Sequence, residues 1–65
     1  MTDPNPGNLI PLDRRQEVFR ALIEAQDTGL DVLASRKAVA DRFAVTEGDV
    51  RRIEREGLDA VWPPL

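Results

Sequence analysis

The absence of cysteine and histidine restricts the ways in which this 65-residue chain can be stabilised. Disulfide bonds are excluded, and so is a zinc site with the usual ligands, so we expect neither a structural metal nor a cofactor. A chain of this length also buries only about 60% of the surface that its unfolded form exposes. Packing between secondary-structure elements of a single domain must therefore stabilise the fold.

Residues 1–11 differ in composition from the rest of the chain. They contain three prolines, two asparagines and one glycine, a composition that cannot sustain helical hydrogen bonding. We predict a flexible, extended tail over residues 1–11, followed by a domain over residues 12–65. The tail has no lysine or arginine, so we do not expect it to enter the minor groove of DNA.

Helical periodicity begins after Pro11. Asp13 and Gln16 have the spacing of a capping box, which predicts a helix N-terminus at Asp13, and Gly29 is the expected stop. Between these signals, apolar residues recur at helical spacing and predict one amphipathic core helix; they are Val18, Phe19, Leu22, Ile23 and Ala25. Residues 30–33 are expected to form a connector whose apolar side chains close one end of the core.

Two shorter helices are predicted further along the chain. Ser35 is the expected N-cap of the first of them. Thr46 and Asp49 repeat the capping-box spacing, with aspartate in place of the usual glutamate, and predict the start of the other. Gly57 is the expected C-terminal stop, so this third helix is predicted to span residues 47–56.

Residues 36–55 have the pattern of two short helices that cross through a tight turn. Ala40 is small where the helices must approach each other, and apolar residues surround the corner at Val39, Phe43, Val45, Val50 and Ile53. This pattern resembles the bacterial helix-turn-helix families, which place a small residue at the Ala40 position. The chain departs from them at Ala44, where those families favour glycine. We expect an all-α, three-helix domain that contains a helix-turn-helix motif and follows an extended N-terminal tail.

Residues 45–58, VTEGDVRRIEREGL, resemble a more specific group within this superfamily. They are similar to the fourth region of bacterial sigma factors, which reads promoter DNA with its last helix. The resemblance implies that helix 47–56 is a recognition helix. The chain shows no other sigma-factor region, so the resemblance extends to the DNA-reading segment alone.

A projection of the third helix at about 100° per residue separates its side chains into two faces. Val50 and Ile53 face the core, whereas the three arginines point outward with Gly48, and acidic residues flank them where they can pair or cap. An arginine-rich helix face fits the major groove, because arginine binds guanine or phosphate through two parallel hydrogen bonds. The predicted DNA-binding residues are Thr46, Glu47, Gly48, Arg51, Arg52 and Arg55.

A second group of predicted contacts lies at the start of the second helix. Cations in the first turn of a helix oppose its dipole by about 0.3 to 1 kcal/mol each, so Arg36 and Lys37 do not stabilise a helix capped by Ser35. Contact with phosphates explains their position, and simple solubility is the alternative. We predict Ser35, Arg36 and Lys37 as contacts to the DNA backbone.

The distribution of charge is more informative than its total. The net charge of −3 argues against a nucleic-acid binder without sequence preference. Six of the nine basic residues nevertheless lie within residues 36–56, together with five acidic residues. Basic charge is therefore concentrated on the segment that resembles a DNA-binding motif.

The sequence is compatible with two functions. The first is sequence-specific binding of double-stranded DNA by a small bacterial or phage transcriptional regulator, acting as a homodimer because one recognition helix offers few base contacts. The second is a protein-binding adaptor that docks on RNA polymerase or another large assembly through Phe19, Leu58 or Trp62, which the net acidity favours. Trp62 either packs across the core or anchors a partner or second copy, and Leu65 is the other candidate contact.

Catalysis is not expected. Histidine, cysteine and tyrosine are absent, the hydroxyls of Ser35 and Thr46 are assigned to helix caps, and neither a phosphate-binding loop nor metal-ligand spacing occurs. The sequence also has no signal-peptide pattern and no apolar run near the roughly 18 residues that a membrane span requires. We therefore expect a cytoplasmic protein without a small-molecule substrate.

Overall fold

The computed structural model describes residues 10–65, so most of the predicted tail, residues 1–9, lies outside the described part of the chain. Residues 10–65 form three helices, α1 (Leu12–Asp27), α2 (Val32–Phe43) and α3 (Glu47–Ala60), and contain no strand. Each helix packs against both of the others. The predicted all-α, three-helix domain is confirmed.

One hydrophobic core joins the three helices and the segment after α3. Its largest members come from all parts of the domain and are less than a tenth exposed; they are Val18, Phe19, Leu22, Val39, Val50, Ile53 and Trp62. Burial of a large apolar side chain contributes about 1.5 to 3 kcal/mol. Because no cross-link is available, these contacts provide most of the stabilisation, as the composition predicts.

Helix α1 begins at Leu12, one residue before Asp13, which was the predicted N-cap. Pro11 occupies the N-cap position and makes no side-chain capping hydrogen bond, so the predicted capping box of Asp13 and Gln16 is wrong. The carboxylate of Asp13 instead accepts a hydrogen bond from the backbone N–H of Arg14, within the first turn. The stop is as predicted, because α1 ends at Asp27 and Gly29 has a φ of 109°.

Helix α2 begins at Val32, where a connector was expected. Asp31 is its N-cap and accepts a hydrogen bond of 2.7 Å from the N–H of Ala34. Val32 and Leu33 are therefore helical and exposed, Leu33 by 72%, and they do not close the core. The prediction failed because two good capping residues lie within one turn of each other, and the sequence alone does not rank them.

Ser35 is consequently not a cap but a buried residue inside α2. Its hydroxyl donates to the carbonyl of Val32 at 2.9 Å and accepts from the side-chain amide of Gln26 at 3.2 Å. Both its predicted cap role and its predicted contact with a DNA phosphate are wrong, since the side chain has no exposed surface. Arg36 and Lys37 lie in the second turn of α2, where the dipole opposes a cation less than in the first.

Gly57 does not terminate α3, which continues to Ala60. Gly57 is buried against Phe19, and a Cβ at this position would lie 2.7 Å from Cγ of the Phe19 ring. The helix ends instead at Val61, which adopts a left-handed conformation with a φ of 53°. Glycine is required here for the close approach of α1 and α3, and not for a turn.

Trp62 packs into the core immediately after this helix end. It is 8% exposed, and its ring meets the Phe19 ring edge to face at a centroid distance of 5.9 Å. Of the two alternatives for Trp62, the structure shows core packing, and Phe19 is fully buried beside it, so the fold leaves neither ring exposed for the expected contact with a partner. Leu65 is 54% exposed and stays a candidate contact.

Candidate nucleic-acid interface

The corner between α2 and α3 is a tight turn of three residues, 44–46. Ala44 adopts a left-handed conformation, with φ 57° and ψ 41°. This conformation costs a residue with a Cβ roughly 1 to 2 kcal/mol. Ala40 is buried beneath the turn, and its carbonyl accepts the N–H of Val45 at 3.0 Å. The small residue and the unusual backbone together bring α3 across α2.

The start of α3 is fixed by the predicted capping box. The hydroxyl of Thr46 accepts the N–H of Asp49 at 3.0 Å, and the carboxylate of Asp49 accepts the N–H of Thr46 at 3.2 Å. Asp49 is 7% exposed, so its charge is committed to the cap. Thr46 is exposed, and its hydroxyl proton can still be donated to an acceptor in solution or on a ligand.

One face of α3 presents arginine to solvent. Val50, Ile53 and Gly57 are buried, whereas the exposed positions of α3 include Glu47, Gly48, Arg51, Arg52 and Arg55. The two faces are those that the helical projection predicts. The three arginines and Gly48 line an open groove with Arg36, Glu54 and Leu58; we call this surface the arginine groove.

Two of the acidic residues that flank the arginines, Glu54 and Glu56, are held by arginines of the other helices. Arg36 of α2 donates two hydrogen bonds to Oε1 of Glu54, from Nε at 3.1 Å and from Nη2 at 3.0 Å. On another side of α3, Arg15 of α1 donates to both oxygens of Glu56, at 3.0 and 3.2 Å. The expectation that these acids pair or cap is confirmed. They also tie α3 to both of the other helices.

The three residues predicted to contact the DNA backbone do not lie on one surface of the fold. Arg36 lines the arginine groove, but its guanidinium is bound to Glu54. Lys37 is exposed on α2 and is not among the residues that line the groove. Ser35 is buried. Only Arg36 therefore shares a surface with the arginines of α3.

Sequence reasoning missed a second cluster of arginine, around Phe43. The guanidinium carbons of Arg14 and Arg42 lie 5.1 and 5.3 Å from the centroid of the Phe43 ring, which is within the range of cation–π contacts. Arg14 is also paired with Glu17 at 3.3 Å. No spacing in the sequence could reveal this cluster, because it depends on how α1 crosses the end of α2.

Two further properties concern the described residues as a whole. None of the helices in residues 10–65 is long and apolar enough to span a bilayer. Within the same residues, no cluster of three or more acidic side chains could hold a metal ion.

Comparison of the chain with models of known protein families, with curated proteins and with solved structures found no match. A function must therefore be inferred from the side chains and their arrangement.

Proposed function

We propose that this protein is a sequence-specific binder of double-stranded DNA that inserts α3 into the major groove. The observation that carries the proposal is the exposure of Arg51, Arg52 and Arg55 on one face of a capped helix, held across α2 by a tight turn. The major groove, about 12 Å wide, admits an α-helix. Arginine on such a helix can bind O6 and N7 of guanine with two hydrogen bonds, or clasp a phosphate.

The N-terminal end of α3 supports the same orientation. The exposed hydroxyl of Thr46 and the first-turn N–H groups can donate to a phosphate, aided by the positive end of the helix dipole. Gly48 adds no side chain where the helix would meet DNA, and a Cβ there would have only the hydroxyl of Thr46 within 4 Å, at 3.7 Å. Glu47 is exposed beside it and could accept a hydrogen bond from the amino group of cytosine.

The small size of the domain limits how many contacts one copy can make with DNA. One recognition helix makes few base contacts, so a second copy bound one helical turn away, about 34 Å along the duplex, would supply the remainder. We propose a homodimeric transcriptional regulator of bacterial or phage type that acts in the cytoplasm, without catalysis. Leu65 is an exposed apolar residue near the end of the domain that could contribute to the dimer.

A protein-binding adaptor is the second candidate. Several large apolar side chains are more than half exposed, among them Leu33, Leu58 and Val61, and the net charge is −3. Such side chains can dock on a protein surface. The two functions differ in their response to salt, because a protein that contacts several phosphates binds DNA much more weakly as salt rises.

The test is selection of binding sites from a random duplex library at fixed salt. The purified protein is compared with a variant that carries Arg51→Ala, Arg52→Ala and Arg55→Ala. A matched control carries Arg14→Ala, Arg20→Ala and Arg42→Ala, which removes the same charge from outside the arginine groove. DNA binding through α3 predicts an enriched motif that the control retains and the first variant loses. No enrichment by the unmodified protein would exclude sequence-specific binding and favour the adaptor.

A further inference from the structure

The ion pair of Arg36 and Glu54 joins two helices and also lies in the arginine groove. It joins α2 to α3, both side chains are less than a quarter exposed, and both residues line the arginine groove. The comparable pair of Arg15 and Glu56 joins α1 to α3 and does not line this groove. Of these two ion pairs, the one between α2 and α3 therefore lies on the surface proposed to meet DNA.

Stability alone does not account for this placement. The cost of desolvating two charges offsets most of their attraction, and apolar replacements of such pairs are often neutral or stabilising. The pair has a clear electrostatic consequence, however. It places a carboxylate where a polyanion would approach, and it occupies a guanidinium that could otherwise bind a phosphate.

We propose that the Arg36–Glu54 pair is a specificity determinant of the arginine groove, in which Glu54 suppresses binding to duplexes of the wrong sequence. This inference rests on the proposed function. Glu54 neutralises Arg36 and repels phosphates, so the groove gains little from the backbone contacts that any duplex offers. Binding then depends on the contacts that Arg51, Arg52 and Arg55 make with bases.

Glu54 weakens binding to non-cognate DNA more than it weakens binding to cognate DNA. On a non-cognate duplex the domain can shift and rotate to bring each cation to a phosphate, since no base contact fixes its position. On the cognate site the base contacts fix α3, and Arg36 cannot follow the nearest phosphate. Specificity is a difference between these two affinities, so an interaction that weakens the wrong complex raises it.

The experiment compares Glu54→Gln with the unmodified protein on the selected duplex and on a scrambled one, as a function of salt. Glu54→Gln keeps the shape of the side chain and an oxygen that can accept from Arg36, but it removes the negative charge that neutralises the guanidinium. One added phosphate contact steepens the salt dependence by about 0.9 in logarithmic slope, which corresponds to about an eightfold gain at 0.1 M salt. We expect that gain for the scrambled duplex and a smaller one for the selected duplex.

Glu56→Gln is the matched control, because it removes the same charge from the same helix, and the arginine whose charge is no longer neutralised lies outside the groove. It should leave the ratio of the two affinities unchanged. An equal gain on both duplexes for Glu54→Gln, or no gain on the scrambled duplex, would overturn the inference while leaving DNA binding intact. If the unmodified protein binds no duplex, the proposed function and this inference both fail.

A second variant covers the case in which Glu54→Gln does not fold. Arg36→Met combined with Glu54→Leu replaces the pair with apolar side chains and leaves the net charge of the groove unchanged. If Glu54 already neutralises Arg36, this variant should bind the scrambled duplex within about twofold of the unmodified protein. A loss of about eightfold would mean that Arg36 contacts a phosphate despite Glu54, and the inference would be wrong.

Discussion

Gly57 of α3 lies so close to the ring of Phe19 that no side chain fits between the two helices. A Cβ built at position 57 would lie 2.7 Å or less from three atoms of that ring. Phe19 is fully buried and packs edge to face with the ring of Trp62. The backbone of α3 itself therefore forms part of the core. This contact sets how closely α3 approaches α1.

The first prediction tests that contact. Gly57→Ala should lower the free energy of unfolding by at least about 1 kcal/mol, because overpacking of a rigid core outweighs the gain of about 1 kcal/mol in helix propensity. Urea denaturation followed by Trp62 fluorescence measures the change. Gly48→Ala is the control, since its Cβ would make only an ordinary van der Waals contact with the hydroxyl oxygen of Thr46, at 3.7 Å, and it should stabilise the domain by about 0.5 kcal/mol. Equal effects of the two substitutions would mean that the close contact does not limit packing.

The second prediction concerns the turn between α2 and α3. Ala44→Gly should stabilise the domain by about 0.5 to 1 kcal/mol, because glycine adopts the left-handed backbone of residue 44 without steric cost, although it loses more entropy on folding. Ala38→Gly, at an exposed position inside α2, should instead destabilise it by about 1 kcal/mol. Thermal unfolding followed by circular dichroism distinguishes the two signs. If Ala44→Gly destabilised the domain, the left-handed backbone of residue 44 would not be a source of strain.

Local signals explain which parts of the fold the sequence could predict. Thr46 and Gly29 were assigned correctly because a cap before a periodic segment and a glycine after one each act through the neighbouring backbone. Gly57 was misassigned, since a sequence does not distinguish a glycine needed for a turn from one needed for close packing. That distinction requires the crossing of α1 and α3, which places Phe19 beside it.

In the candidate site, too, local sequence signals predict some features, and the crossing of the helices determines the others. The outward face of α3 follows from helical geometry alone, so Arg51 and Arg55 were placed correctly on the exposed side. The partners of Glu54 and Glu56 come from two other helices. Their identity depends on how the helices cross, which no local pattern encodes.

The third prediction tests where α2 begins. Asp31→Ala should destabilise the domain by about 1 kcal/mol, because it removes the side chain that accepts the N–H of Ala34. Asp13→Ala is the control: Asp13 is exposed in the first turn of α1 and is not its N-cap, so the loss should stay below about 0.5 kcal/mol. Urea denaturation of both variants gives the comparison. A larger effect at Asp13 than at Asp31 would mean that Asp13 stabilises its helix N-terminus more than the Asp31 cap does, and would contradict these assignments.

The fourth prediction tests the arginine groove one side chain at a time. Arg51→Ala or Arg52→Ala should weaken binding to the selected site by about 1 to 3 kcal/mol and relax the preference at one base pair if the side chain reads a base. A phosphate contact would instead weaken all duplexes alike and reduce the salt slope by about 1.

Arg20→Ala is the control for these substitutions, since Arg20 is exposed on α1 and paired with Glu24, away from α3. Fluorescence anisotropy with the selected and scrambled duplexes at several salt concentrations separates base contacts from phosphate contacts. The start of α3 is fixed by the Thr46 cap and its approach to α1 by Gly57, and neither of these contacts involves the side chain of Arg51. Unchanged binding by both the Arg51→Ala and the Arg52→Ala variant would mean that α3 does not enter the major groove of DNA, even if another surface of the domain contacts DNA.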